Sequence, residues 1–380
     1  MTKIAAVIMH APLGGSAGEI MVEMARAASS LDLSSVLHAA RIEKIVLVTE
    51  DDALSEKMAQ CGASVTVERG SPPFHFGHTL QEIIDKHSLG GFLYFGSGSG
   101  GLIDAGRART LIDFAKGAQT SAVFNNFYSC DYVAVAHAQD LLSIDLPEID
   151  NSLGFVLSDA GINCGALPRE LETQFDIDTP TDVLLLAASG LGGKEMRRCT
   201  RAISYKQHRI SEIMSLLHRR DAQLAIIGRV NPITWAHFEQ EVACRTNVLS
   251  EGRGMRSYPS SRGTLIGDLL AKKGTGYFFE ELATVCDGAI IDTRPLLAQG
   301  EHLPPASDRF ASDLLDHEAI GDPLWREFTL AASQARIPII LGGHSLVSGG
   351  LYLLSREGWK DHDLRRRLHP DTIDWQKEQI

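Results

Sequence analysis

Short apolar runs recur along this chain, each separated from the next by a stretch long enough to form a helix. That alternation constrains the fold more than any single motif. The runs of the first half are residues 4–9, 44–49, 65–67, 92–95 and 121–124. Continuous apolar runs of this length mark strands buried on both faces. Parallel strands need long crossovers, which are right-handed and lay helices on the sheet. The pattern therefore predicts an α/β fold with a doubly wound, mostly parallel sheet. It resumes at residues 223–228, 246–249, 288–292 and 338–341, which predicts a second, smaller α/β domain of Rossmann-like type.

A chain of 380 residues suits two domains. Gly190-Leu191-Gly192-Gly193-Lys194 is the clearest breaker string, and the expected domains are 1–195 and 203–380. A net charge of -12 argues against a general nucleic-acid partner. The six cysteines contain no CxxC, which points to buried thiols in a reducing compartment. No apolar stretch reaches the length of a membrane span. The first residues enter a strand directly, without a basic signal-peptide start. A cytoplasmic location without a membrane partner is the expectation. The oligomeric state is not legible, and a homo-oligomer stays open.

Residues 175–182, Phe-Asp-Ile-Asp-Thr-Pro-Thr-Asp, precede the apolar run 183–188. Asp176 and Asp178 alternate, so in a strand both carboxylates point the same way. Thr179 suits an N-cap, Pro180 a first helical turn, and Asp182 the positive end of the helix dipole. Two readings stand: a well-capped strand-to-helix junction, or a divalent-metal site on a sheet edge. The octet resembles the closing motif of the small-molecule nucleotidyltransferases. These include the molybdenum-cofactor and 2-phospholactate guanylyltransferases and the 3-deoxy-manno-octulosonate cytidylyltransferases. The resemblance covers about the first half of the chain. It implies the nucleotidyltransferase-like fold shared with nucleotide-diphospho-sugar transferases. It further implies a nucleoside triphosphate or sugar nucleotide as one partner and a small phosphorylated or carboxylated acceptor as the other. Asp178 would then ligate a catalytic magnesium ion (Mg2+), with Asp176 as helper.

Other candidates cluster at strand ends. The loop after the first strand carries Pro12, Gly14 and Gly15. Its backbone amides suit a phosphate, or it is a plain tight turn. In the family it resembles, this loop carries an Arg or Lys; here the first is Arg26. The fourth strand ends in Ser97, Gly98 and Ser99, where that family places a magnesium-binding Asp. A hydroxyl replaces a hard anionic ligand poorly. A nucleotide-binding protein without catalysis is therefore the alternative. Asn125 and Asn126 suit a base or sugar edge, and Asp131 is a second candidate acid; Asx-turn chemistry accounts for all three equally well. His75 to His78 precede a helix expected from Thr79 and either face the nucleotide or form a packed aromatic turn. Arg169 suits a substrate phosphate or is a surface charge.

In the second half, strand ends carry Arg229, Arg253, Arg256, Asp292, Arg294 and the string Gly343-His344-Ser345. Carboxyl ends of parallel strands share one edge, where ligands bind. Recurrent arginine in an acidic chain points to an anionic ligand, to which Ser261 and Arg262 would add. The other reading is the ordinary polarity of such loops. Activity residing in this half, with His344, Asp292 and Arg294, is a third functional reading. Residues 304–313 read as a surface excursion, a lid or a partner contact, and the charged tail 359–380 as a solvated helix.

Overall fold

The computed structural model describes residues 3–60, 65–201, 203, 208–254, 263–297 and 303–359. Within them, every apolar run named above is a strand. The first half holds these five and two more, giving β1 (Ile4–His10), β2 (Lys44–Thr49), β3 (Val65–Glu68), β4 (Gly91–Gly96), β5 (Ser121–Phe124), β6 (Tyr132–Ala136) and β7 (Asn163–Ala166). They form one sheet in the order β3-β2-β1-β4-β6-β5-β7. Only β6 runs against the rest. The second half contributes β8 (Gln223–Gly228), β9 (Arg245–Ser250), β10 (Gly288–Asp292) and β11 (Ile339–Gly342). Their order is β11-β10-β8-β9, and all are parallel. Strand order reverses between β1 and β4 in the first sheet and between β8 and β10 in the second. Those are the two positions where an open α/β sheet leaves a crevice.

The helix Ala17–Ala39 starts at Ser16, whose capping box with Glu19 satisfies orphan amides of the first turn. Residues 28–34 of this helix are buried without interruption, which a helix on a sheet does not require. The sequence there is Ala-Ser-Ser-Leu-Asp-Leu-Ser, and its small residues let a second layer approach closely. That layer begins with the helix Pro180–Ser189, which is buried from Pro180 to Leu186 and apolar from Val183 to Ala188. Helices of this kind belong in a core. One hydrophobic cluster joins Val22 and Ala25 of the first helix, Val183 to Leu186, and Leu224, Ile226, Ile290 and Ile340 of the second sheet. The Thr181 hydroxyl donates to the Leu341 carbonyl in β11 at 2.5 Å. This helix is therefore packed between the first helix and the second sheet.

Several expectations change at this level. The glycine string at 190–193 is a pair of caps: Gly190 ends one helix at φ 68° and Gly193 opens the helix Lys194–Thr200. The Asp32 carboxylate accepts the Glu195 and Met196 amides at 3.0 and 2.9 Å. This ties the helix beyond the string back onto the first body. Residues 304–313 are not a surface excursion. They include the helix Ala306–Asp313, whose Phe310 packs so closely on the first helix that a Cβ at Gly18 would lie 2.7 Å from it. Helix Phe76–His87 starts three residues earlier than Thr79. His75 is its N-cap, accepting from the His78 amide, and the two imidazoles stack at 3.8 Å while Phe76 enters the core. Residues 175–178 join neither sheet, so the strand expected there is absent. The tail beyond Trp359 lies outside the described residues.

Candidate functional site

The octet crosses the carboxyl edge of the first sheet, held at several points. The Ile177 amide donates to the Gly98 carbonyl at 3.1 Å. Arg26, on the first helix, donates from Nε to the Ile177 carbonyl at 2.7 Å and from Nη2 to Asp178 Oδ1 at 3.2 Å. Asp182 reaches back one turn: its Oδ2 accepts the Asp178 and Thr179 amides at 3.0 and 2.8 Å and the Thr179 hydroxyl at 2.9 Å. The second sheet closes the other side, where the Ser345 hydroxyl donates to the Asp176 carbonyl at 2.6 Å. Within this frame the Asp178 side chain remains half exposed. Arg26 was named in the sequence only as the first basic residue after the loop. Its partner lies 152 residues away, a distance that no local pattern spans.

Acidic groups crowd here. Burial, then the charges of Asp178 and Asp131, push the Asp176 carboxyl well above the usual carboxylate range, and a hydrogen bond with Asp178 adds to this. Burial raises Asp182 to about 7, with Asp178 again contributing. Burial also raises Asp150, whose carboxylate accepts the Tyr94 hydroxyl at 2.6 Å. Carboxylates sharing one region disfavour each other's charged form. Arg26 opposes the effect at Asp176 without cancelling it.

The glycine–serine loop after β4 meets the octet directly. A Cβ at Gly98 would lie 2.6 Å from an Asp176 carboxylate oxygen, so only glycine lets the two backbones approach. The loop is not an open cradle, however. The Ser97 amide bonds to the Met9 carbonyl, and the buried Ser99 hydroxyl donates to the carbonyls of Gly96 and Asp131. Asn125 is likewise occupied. Its amide nitrogen donates to Asp131 Oδ2 and the Thr173 carbonyl, while its oxygen accepts the Asp131 and Tyr132 amides. It staples the β5–β6 turn instead of presenting an edge to a base. Asn126 accepts the Tyr128 amide in an Asx turn. Pro12, Gly14 and Gly15 lie exposed on the loop after β1. Arg169 bonds to the Gln174 side chain.

The arginines of the second sheet are matched to acids. At the β8/β10 crevice, Arg229 and Asp292 form a two-point pair at 2.6 and 3.0 Å. Burial alone would raise Asp292, but Arg229 outweighs it and holds the carboxyl below its ordinary value. Arg294 is buried against Asp313 at 2.6 Å and donates to the Gly342 carbonyl at 3.0 Å. His344 adds its charge beside Asp292. A Cβ at Gly343 would lie 2.9 Å from the Thr179 side chain. Gly343 and Ser345, expected in a separate second site, thus abut the octet, and the two predicted sites meet along one seam. Arg253 is exposed beyond β9. Arg256, Ser261 and Arg262 lie outside the described residues. A groove of about 400 Å3 lies away from Asp178, beside β9, and its lining of Val230, Pro232, Trp235, Thr246, Asn247, Val248 and Ser250 holds no charge.

The class defined by this architecture is a doubly wound α/β protein with a second parallel sheet fused to the first. No family model matches the chain, and no curated protein matches it. Among solved structures, it is similar to a cytidylyltransferase from Leptospira borgpetersenii serovar Hardjo-bovis. The two are 14% identical over 55% of this chain and 96% of that one, at a TM-score of 0.38. It is also similar to the 4-diphosphocytidyl-2C-methyl-D-erythritol synthase of Anaerococcus prevotii, with 13% identity, 48% and 94% coverage and a TM-score of 0.31. A third is a CMP:2-keto-3-deoxy-manno-octonic acid synthetase complexed with CTP, with 14% identity, 44% and 89% coverage and a TM-score of 0.30. No described helix is long and apolar enough to cross a membrane.

Proposed function

We propose that the chain is a nucleotidyltransferase that moves a nucleoside monophosphate from a nucleoside triphosphate to a small phosphorylated or carboxylated acceptor. The observation that carries this reading is the Asp176–Asp178 pair at the edge of the first sheet. The Asp176 carboxyl is raised well above the usual range by burial and by the neighbouring Asp178, whose half-exposed carboxylate is bonded to Arg26. The guanylyl- and cytidylyltransferases that the octet resembles use a carboxylate at this place. In the reaction, an acceptor oxygen attacks the α-phosphorus and forms a P–O bond. The bond to the bridging oxygen of the β-phosphate breaks, and pyrophosphate leaves with the electron pair. Catalysis of this kind is mostly positioning and charge stabilisation.

The donor set fits a magnesium ion: Asp178 and Asp176 offer hard oxygens, and a divalent cation would relieve their mutual repulsion. When bound, such an ion neutralises phosphate charge. Asp178 and Asp176 would hold it, with Asp131 adding charge from the β5–β6 turn. Arg26 orients Asp178 and carries a cation beside the incoming phosphates. Asp182 fixes the backbone of 178–179, so the carboxylate is placed by a buried cap. In the exposed loop at Pro12, Gly14 and Gly15, the phosphate contacts are the amides of Gly14 and Gly15, since proline has no N–H to donate.

One observation favours the second reading, a nucleotide-binding protein without turnover. The loop at 96–101 supplies no acid and is bonded shut against Ile177. Titration with nucleoside triphosphates, with and without Mg2+, separates the two. The enzyme reading expects magnesium-dependent binding and acceptor-dependent pyrophosphate release, with turnover lowered at least ~100-fold in Asp178→Ala. Metal-independent binding without pyrophosphate supports the second reading. Nucleotide contacts confined to residues beyond 220 would move the activity to the second sheet.

A further inference from the structure

His10 ends β1 in the middle of the first sheet, in register with Thr49 of β2. Its side chain is fully buried, yet neither ring nitrogen has a hydrogen-bond partner among the described residues. Leaving buried polar atoms unpaired costs about 1–3 kcal/mol per group, so this imidazole calls for an explanation. Two carboxylates face it. Asp51, the N-cap after β2, uses Oδ1 to accept the Leu54 amide, and its Oδ2 lies 3.9 Å from His10 Nε2. That is too long for a hydrogen bond. Glu23, on the first helix, accepts the Leu13 amide through Oε2 at 2.9 Å. One ligand atom from each of the three residues lies within 4.8 Å of the others.

We propose that His10, Glu23 and Asp51 bind one divalent transition-metal ion of the zinc, manganese and cobalt class. Ligand atoms each about 2.1 Å from a shared ion lie roughly 3–3.5 Å apart, so the cluster needs only a small contraction. The mixed nitrogen and oxygen set selects against magnesium and calcium, which prefer oxygen alone. Backbone amides already orient both carboxylates, as supporting groups do around metal ligands. Three protein ligands leave at least one position open. Through Glu23 and the Leu13 amide, the ion would steady the loop after β1. None of the three residues belongs to the Asp176–Asp178 pair, so the site does not depend on the nucleotidyltransferase reading.

The test uses the full chain, stripped with chelator and titrated with Co2+ in excess Mg2+, which keeps the oxygen-only Asp176–Asp178 set occupied by magnesium. Wild type is expected to take one equivalent, with visible d–d absorption, no thiolate charge-transfer band and a raised melting temperature. Glu23→Gln, which can still accept the Leu13 amide, and His10→Asn are each expected to weaken binding at least ~10-fold. Asp178→Ala is expected to leave the cobalt spectrum unchanged. Since His10→Asn risks misfolding, Glu23→Gln is the decisive variant, its fold checked by circular dichroism. Three results would overturn the proposal: no saturable equivalent in wild type, a thiolate band that survives both substitutions, or a spectrum lost in Asp178→Ala.

Discussion

The carboxyl edges of the two sheets both carry buried acids but differ in how closely each acid is paired with an arginine. Along the second sheet Asp292 is paired with Arg229 and Asp313 with Arg294; the first pair holds Asp292 low, while burial still raises Asp313. Along the first sheet, Asp176 and Asp182 sit near Asp178 with Arg26 as the bonded cation, and both carboxyls are raised. A matched pair is a closed unit in which each charge exists to satisfy the other. Under-compensated acids at a crevice hold repulsion that a cationic ligand can relieve. The contrast teaches that arginine recurrence, the sequence signal for an anion site in the second half, marks structural pairing at Arg229 and Arg294. The crowded carboxylates of the first half are the better candidates for chemistry.

The largest effect expected from this contrast is on stability. Arg294→Met strands the buried Asp313 carboxylate and should cost about 3–5 kcal/mol in denaturant unfolding. Asp178→Asn, on the half-exposed side, should stay within about 0.5 kcal/mol. Equal costs for the two variants would erase the distinction between the edges.

Next in size is a pH effect of opposite sign at Asp182 and Asp292. An unfolded Asp releases its proton near pH 3.9, whereas folded Asp182 keeps it to about 7. Below the lower value both states are protonated and the contribution is fully present. As pH rises toward 7 it is lost, by at most about 4 kcal/mol at full titration. Asp292, held low, contributes in the other sense: its stability is present above the unfolded value and disappears as acid is added. Melting temperatures from pH 4 to 8 should therefore fall less steeply in Asp182→Asn than in wild type. An unchanged slope would mean that Asp182 titrates normally.

The smallest effect concerns the seam itself. Ser345→Ala removes the bond to the Asp176 carbonyl and should cost about 1 kcal/mol. It should also weaken magnesium-dependent nucleotide binding if the second sheet positions the octet. A stability loss with binding untouched would make Ser345 a packing residue alone.

The features legible from the residues alone obey local rules. Apolar runs such as 4–9 and 223–228 had to be interior strands, because a strand covered on both faces cannot alternate polar with apolar. The cap at 179–182 was also legible, because its partners lie within one turn. The departures came where partners are distant or packing overrides a local signal. Gly190 to Lys194 carries the composition of a linker, but Asp32 reaches across to cap the helix Lys194–Thr200. Residues 175–178 alternate like a strand, but Gly98 and Ser345 take up bonds on either side of them. Asn125 has the donors of a base reader, but the turn it closes consumes them.

The sequence by itself determined two mostly parallel sheets, most of their strands and the acid-rich octet, since each depends on neighbours a few residues apart. Only the tertiary structure decided that the octet is gripped between both sheets, that Arg26 faces Asp178, and that Arg294 is paired inward. Those outcomes depend on which side chains meet at long range, 19 residues apart for Arg294 and Asp313 and 152 for Arg26 and Asp178. Electrostatic compensation is set by that meeting and not by residue type.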